Sequence, residues 1–285
     1  MIALIAAVAA VLPSAAAAQS PCAGGPLPAA AANAASLESL AWSPFRRPET
    51  GWAIYAPWIA AEIGTACPPA SPRFAAALAA WQRGHGLAAT GIVDIPGFAV
   101  MNAKWTRQRP FVAQSRGGAC PPPPAAAALA AAAARESYGG KTIILRADAL
   151  AAYRLMVAAA RREAATLARD PRWLTIFSGF RDPAADDLRC LTDGNCQGVV
   201  RAVCSAHRTG LALDLNVGQT PGFGPDSSSD GNRRAMTRTA AYAWLVANAA
   251  RFGFYNYVFE PWHWEWSPGS HFGEMPTRLG DPPPP

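Results

Sequence analysis

Hydrophobic positions divide this chain into stretches of different period. Phe74, Leu78 and Trp81 recur at helical spacing, Gly84 and Gly86 close that helix, and a second one is expected through Phe98 to Met101 after the turn Gly91-Ile92-Val93-Asp94. Leu145 to Ala168 reads as mostly one long helix with Leu150, Tyr153, Met156 and Val157 along one stripe. Leu174-Thr175-Ile176-Phe177 is a short apolar run of buried-strand type that ends at Ser178-Gly179. Leu211 to Val217 and Tyr255 to Trp266 read as short strands and loops. Between them Thr239 to Phe252 forms a helix that buries Tyr242, Leu245 and Val246 and stops at Gly253. Helices around a small antiparallel sheet predict an α+β domain, preceded by a small helical N-terminal module.

Punctuation sets the expected organisation. The first 12 residues are apolar and uncharged, and Pro13-Ser14 then leads into Ala15 to Gln19 with an A-x-A pattern, so residues 1–18 read as a secretory signal peptide. The stretch is shorter than the about 20 apolar residues a membrane span needs, and no later segment reaches that length. Gly117 to Pro124 followed by Ala125 to Ala134 has a polyproline start and a helix-prone, featureless continuation, which makes residues 107–140 a Pro/Ala-rich linker between a 40–106 module and a 141–275 domain. Residues 276–285 read as an irregular tail.

Composition narrows the partners. The net charge of +6 favours anionic surroundings, but no Lys/Arg run concentrates it, so nucleic acid is not an expected partner. Nothing in the pattern calls for an oligomer, and the chain is expected to act as a monomer. The six cysteines form an even set in a chain that reads as exported, which makes disulfides the default. Proximity favours Cys22 with Cys67 and Cys190 with Cys196, leaving Cys120 for Cys204. A Cys/His zinc site built from Cys190, Cys196, Cys204 and His207 is the competing use of the same residues.

Candidate chemistry gathers in three short motifs: Ser178-Gly179-Phe180-Arg181, then Ser205-Ala206-His207 through Asp214, then Glu260-Pro261-Trp262-His263-Trp264. Two histidines and a carboxylate are the N/O ligand set that holds zinc in hydrolases, with water in the fourth position. Residues seven apart on one helix lie roughly 10 Å apart along its axis, so His207 and Asp214 cannot share a metal from a straight helix. A turn at Gly210 followed by a strand solves this, because Leu211, Leu213 and Leu215 then face the core and Asp214 the other side. In the last motif strand parity puts Glu265 beside His263, whereas a bulge at Pro261 could return Glu260 there. Two candidate general bases therefore stand. The stripe of Trp262, Trp264 and Trp266 reads as core, with Trp262 or Trp264 a candidate wall for a substrate cleft.

The order S-G-F-R, S-x-H-x-x-G-x-A-x-D and E-P-W-H-W resembles the VanY-like D-alanyl-D-alanine carboxypeptidases, a family of the LAS superfamily of zinc metallopeptidases, over roughly residues 141 to 270. The resemblance implies that His207, Asp214 and His263 bind Zn2+, that Glu260 is the catalytic base acting on water, and that Arg181 and Ser205 hold substrate. It leaves Glu265 with no part. It also implies peptidoglycan stem peptides as substrate, cut to release the C-terminal D-Ala, in the periplasm or cell wall. An endopeptidase cutting cross-links or L-Ala-D-Glu bonds is the alternative of the same class, and a wall-binding protein without activity the alternative of another. Family members commonly carry a Gln soon after the S-G-Y-R motif. Here Gln197 is the nearby candidate, while His271 is a further histidine near the last motif. Trp81-Gln82-Arg83-Gly84-His85-Gly86-Leu87 with Thr90 to Asp94 resembles the small helical peptidoglycan-binding module attached to many wall hydrolases.

Overall fold

A computed structural model describes residues 21–115, 118–192, 194 and 204–267. The expected signal peptide, the 276–285 tail, Gln197 and His271 lie outside the described residues. The N-terminal half is helical. Helix α1 (Leu27–Ser36) leads into a two-residue ribbon, β1 (Ala41–Trp42) with β2 (Glu49–Thr50), and then α2 (Ala56–Glu62), α3 (Pro72–Gly84), α4 (Ile95–Gln108) and the short α5 (Pro110–Gln114). Helices α3 and α4 start where the sequence caps them. The Ser71 hydroxyl accepts from the Phe74 N–H at 3.2 Å, the Asp94 carboxylate from the Gly97 N–H at 2.8 Å, and each helix carries Pro in its first two positions.

This half has its own core of Trp52, Tyr55, Ile59, Phe74, Leu78, Phe98, Met101 and Trp105. Buried polar side chains tie it together. Asn33 donates to the Gly91 carbonyl at 2.8 Å and accepts from the Val93 N–H at 2.9 Å, while Glu62 accepts from the Trp81 and Trp105 indoles and from Lys104. Buried polar groups matched in this way avoid the cost of desolvation without a partner.

The segment that reads as a spacer takes a different form. Leu129–Ala131 is a strand, β3, paired antiparallel with β4 (Ile144–Arg146), so the polyalanine is sheet rather than helix here. Local propensity gives way because β4 offers unpaired backbone groups and Leu145 and Ile143 a buried apolar face. The long helix is α6 (Ala147–Glu163), followed by the single turn α7 (Ala165–Arg169). Extended backbone at Ala164, φ −128° and ψ 105°, breaks what the sequence reads as one helix.

The second half is built on four antiparallel strands in the order β5-β6-β8-β7. They are β5 (Ile176–Ser178), β6 (Ala212–Leu215), β7 (Phe254–Asn256) and β8 (His263–Trp266), with α8 (Pro183–Thr192), α9 (Asp230–Thr237) and α10 (Ala240–Asn248) between them in the chain. Helix α10 is capped by Thr239 and runs into a 3-10 turn that ends at Gly253, φ 80°, as expected. The main core gathers α6, α10 and the inward residues of the sheet, among them Leu213, Leu215, Trp264 and Trp266. The chain is thus α+β, helices around a small antiparallel sheet.

The two halves pack on one another. Trp58 of α2 donates to the Tyr242 hydroxyl at 2.9 Å and its ring lies 6.2 Å from that of Trp264, and Val258 sits in the N-terminal core. Two disulfides match the expected pairs, Cys22–Cys67 and Cys120–Cys204. Cys190 is also disulfide-bonded, and Cys196 lies outside the described residues. Cys190 and Cys204 are therefore not free thiolates, which removes the Cys/His zinc site. Among the described residues no helix is long and apolar enough to cross a membrane.

Candidate metal centre

Three segments meet along one row of the sheet. Ser178 closes β5, Asp214 lies opposite it on β6, and His263 lies opposite Asp214 at the start of β8. Asp214 stands between Leu213 and Leu215, both fully buried in the main core, so alternation turns its carboxylate to the other face. His207 arrives from a 3-10 turn, Ala206–Thr209, in which the Ser205 hydroxyl accepts from the His207 N–H and whose end is Gly210 at φ 67°. That left-handed backbone costs glycine little and reverses the chain into β6. The Cys120–Cys204 bridge anchors the start of the same turn.

One nitrogen of each histidine and one oxygen of Asp214 lie within 4.8 Å of one another, and all three residues are buried. The hydrogen bonds decide which nitrogens face inward. His207 Nδ1 is 2.7 Å from the Gly179 carbonyl, which can only accept, so this nitrogen carries the proton. His207 Nε2 then presents a lone pair 3.2 Å from Asp214 Oδ2. His263 Nε2 lies 3.3 Å from Glu265 Oε1, leaving Nδ1 to face Asp214 Oδ1 at 3.0 Å. In the metal-free chain a protonated His263 donates from Nδ1 to Asp214; once that proton leaves, two imidazole nitrogens and a carboxylate oxygen face one another as a zinc-type donor set. Gly179 is required for the first contact, since a Cβ there would lie 2.4 Å from the Ile144 carbonyl oxygen.

Electrostatics follow from this packing. Burial would raise the Asp214 carboxyl, but His207 and His263 hold it well below the usual carboxylate range. Burial lowers His207, with Asp214 opposing. Burial also acts to lower His263, yet its bonds to Asp214 and Glu265 prevail and raise it to about 9. Glu260 comes from the turn before β8, with its Oε2 4.0 Å from His263 Nδ1 and 32% of its side chain open. Burial pushes its carboxyl up, opposed first by His263.

Both glutamates left open by parity therefore flank His263, at opposite nitrogens. Glu265 has the side that alternation gives it. Glu260 arrives through a turn rather than a bulge, its N–H donating to the Tyr257 carbonyl at 2.7 Å and its carbonyl accepting from the His263 N–H at 3.0 Å. Arg181 is the other group at the opening. Its guanidinium donates to Ser178 Oγ at 2.9 Å and lies 3.6 Å from Asp214 Oδ2, with 32% of the side chain open. Ser205 is half-buried beside the turn it caps. Trp262 is 4% exposed and sits in the main core, so its ring is used in packing and offers no open wall.

Sequence reasoning missed the surroundings of Glu265. Arg109, from the segment that reads as a linker, donates through Nε to Glu265 Oε1 at 2.9 Å, and the Phe111 N–H donates to Oε2 at 3.0 Å. Burial would raise the Glu265 carboxyl, but His263 and Arg109 hold it at about 2. No local pattern signals a contact spanning this much chain.

His207, Asp214 and His263 thus form a buried cluster that could hold a metal ion, with the Glu260 carboxylate beside it and Arg181 at its opening. The family model for VanY, D-alanyl-D-alanine carboxypeptidase, matches residues 197–269, so this stretch is similar to that family. A solved structure of the LdcB LD-carboxypeptidase, described as revealing the molecular basis of peptidoglycan recognition, is similar at 25% identity with a TM-score of 0.30, covering 43% of this chain and 59% of that one. This chain thus spans less than two thirds of that protein. Among curated proteins none matches.

Proposed function

We propose that this protein is an exported zinc peptidase of the bacterial cell wall that removes the C-terminal D-Ala from peptidoglycan stem peptides. The observation that carries the reading is the buried convergence of His207 Nε2, His263 Nδ1 and the Asp214 carboxylate, with Glu260 next to them. His207 Nε2, His263 Nδ1 and Asp214 would hold the ion. Zinc, when bound, supplies Lewis-acid polarisation of a carbonyl and makes water more acidic.

The protein's own groups supply the rest. Glu260 takes a proton from the attacking water and passes it to the leaving amine, and a carboxyl raised by burial suits a group that must both accept and return a proton. Arg181, held at the mouth by Ser178, offers a planar fork that matches a free peptide carboxylate in two parallel hydrogen bonds. Ser205, whose hydroxyl caps the His207 turn, would contribute that hydroxyl to the bound peptide. Disulfides in three parts of the chain fit an oxidising compartment such as the periplasm.

The test is incubation of the purified protein with a pentapeptide muropeptide and with cross-linked dimers, with and without chelator, read by mass spectrometry. Free D-Ala from the pentapeptide, lost on chelation and restored by zinc, is expected. Monomers released from dimers with the pentapeptide untouched would make it an endopeptidase. Cleavage of neither substrate would defeat the enzyme reading.

A further inference from the structure

Glu265 is 1% exposed, yet it belongs neither to the ligand set nor to the apolar core. Its two oxygens are fully committed. Oε1 takes His263 Nε2 and the Arg109 guanidinium, and Oε2 takes the Phe111 N–H. Arg109 is fixed in turn. It joins α4 to α5, keeps 13% of its side chain open, and lies 4.2 Å over the Tyr257 ring. Tyr257 reaches back to the centre, its N–H donating to the His263 carbonyl at 3.1 Å. A closed chain of contacts thus runs from the end of α4 to the far nitrogen of His263.

We infer that Arg109 and Glu265 are positioning residues of the metal centre: Glu265, held by Arg109 and the Phe111 N–H, fixes the ring of His263 so that Nδ1 faces the ion. This rests on the zinc reading above. A histidine ligand needs its second nitrogen occupied by an acceptor, because that bond sets the tautomer and the ring orientation. Here the acceptor is itself oriented by Arg109 and Phe111, which joins the end of the N-terminal half to the centre. Parity places a carboxylate beside His263, but the group that holds it lies 156 residues away in sequence.

The test is zinc affinity of the full chain, measured by competition with a chromophoric chelator, together with the visible spectrum of the cobalt-substituted protein. Arg109→Ala and Glu265→Gln are expected to weaken zinc binding about 10- to 100-fold and to shift the cobalt bands, and Arg109→Lys to restore most of the affinity. Arg109→Gln combined with Glu265→Gln removes both charges and covers the case in which the alanine variant does not fold; it is expected to show the same weakening. Wild-type affinity and an unchanged cobalt spectrum in whichever of these variants fold would overturn the inference while leaving the zinc site intact. A wild-type chain that takes up no stoichiometric zinc would overturn the underlying reading instead.

Discussion

Arg233 offers a quantitative test of how the two halves are joined beside the candidate base. It is fully buried on α9, its Nη2 donates to the Tyr55 hydroxyl at 2.7 Å and its Nε to the Phe259 carbonyl at 2.8 Å, one residue before Glu260. Its Nη1 lies 3.3 Å from Glu49 Oε1, an oxygen with no hydrogen bond, so the guanidinium charge is what compensates that end of the carboxylate. Tyr55 donates to the other oxygen at 2.6 Å. Replacing Arg233 with Met keeps much of the volume and leaves the buried Glu49 without its counter-charge, a situation that costs about 3–5 kcal/mol. Adding Glu49→Gln removes the stranded charge while keeping an acceptor for Tyr55, and should recover about half of that loss. Urea unfolding of the wild type, both single variants and the double variant gives the coupling directly. A loss below about 1 kcal/mol for Arg233→Met, or no recovery in the double variant, would refute the reasoning.

Other outcomes follow from the same contacts. Because His263 is raised to about 9 in the metal-free chain while His207 is lowered, zinc uptake at pH 7 should release about one proton, measured by calorimetry in buffers of different ionisation enthalpy. The same raised group stabilises the metal-free fold fully below its unperturbed value of 6.5, and that contribution is lost as pH rises through about 9, so the metal-free Tm should fall across that window. Gly179→Ala forces a methyl against the Ile144 carbonyl and displaces the acceptor of His207; a loss of about 1–3 kcal/mol in stability and weaker zinc binding are expected from melts and chelator competition. Cys120→Ser with Cys204→Ser should cost about 2–4 kcal/mol in chemical unfolding, since the bridge closes a long loop that ends at the His207 turn.

Much of the centre was legible because it is local. The turn at Gly210, the strand parity of Asp214 and the short distance from Glu260 to His263 each depend on a few neighbouring residues, and the ordered motifs carry them. The helices at Phe74–Trp81 and Thr239–Phe252 follow their apolar spacing and capping residues for the same reason. What was not legible depends on distant partners. Ala125 to Ala134 favours helix by composition, and only the presence of Ile144–Arg146 makes residues 129–131 a strand. Glu265 has no local sign of purpose, because its meaning comes from Arg109 and Phe111 across the fold. The tryptophan stripe reads as core from its alternation, but that Trp262 gives no wall to the cleft depends on the neighbours that bury it.

The central claim is that His207, Asp214 and His263 form one metal centre, and anomalous scattering at the zinc edge from crystals of the zinc-loaded chain tests it most directly. The account predicts a single peak at about 2.0–2.2 Å from His207 Nε2, His263 Nδ1 and an Asp214 oxygen, with Glu260 next to it and not among its ligands. No peak at this position, or a peak bound by other side chains, would contradict it.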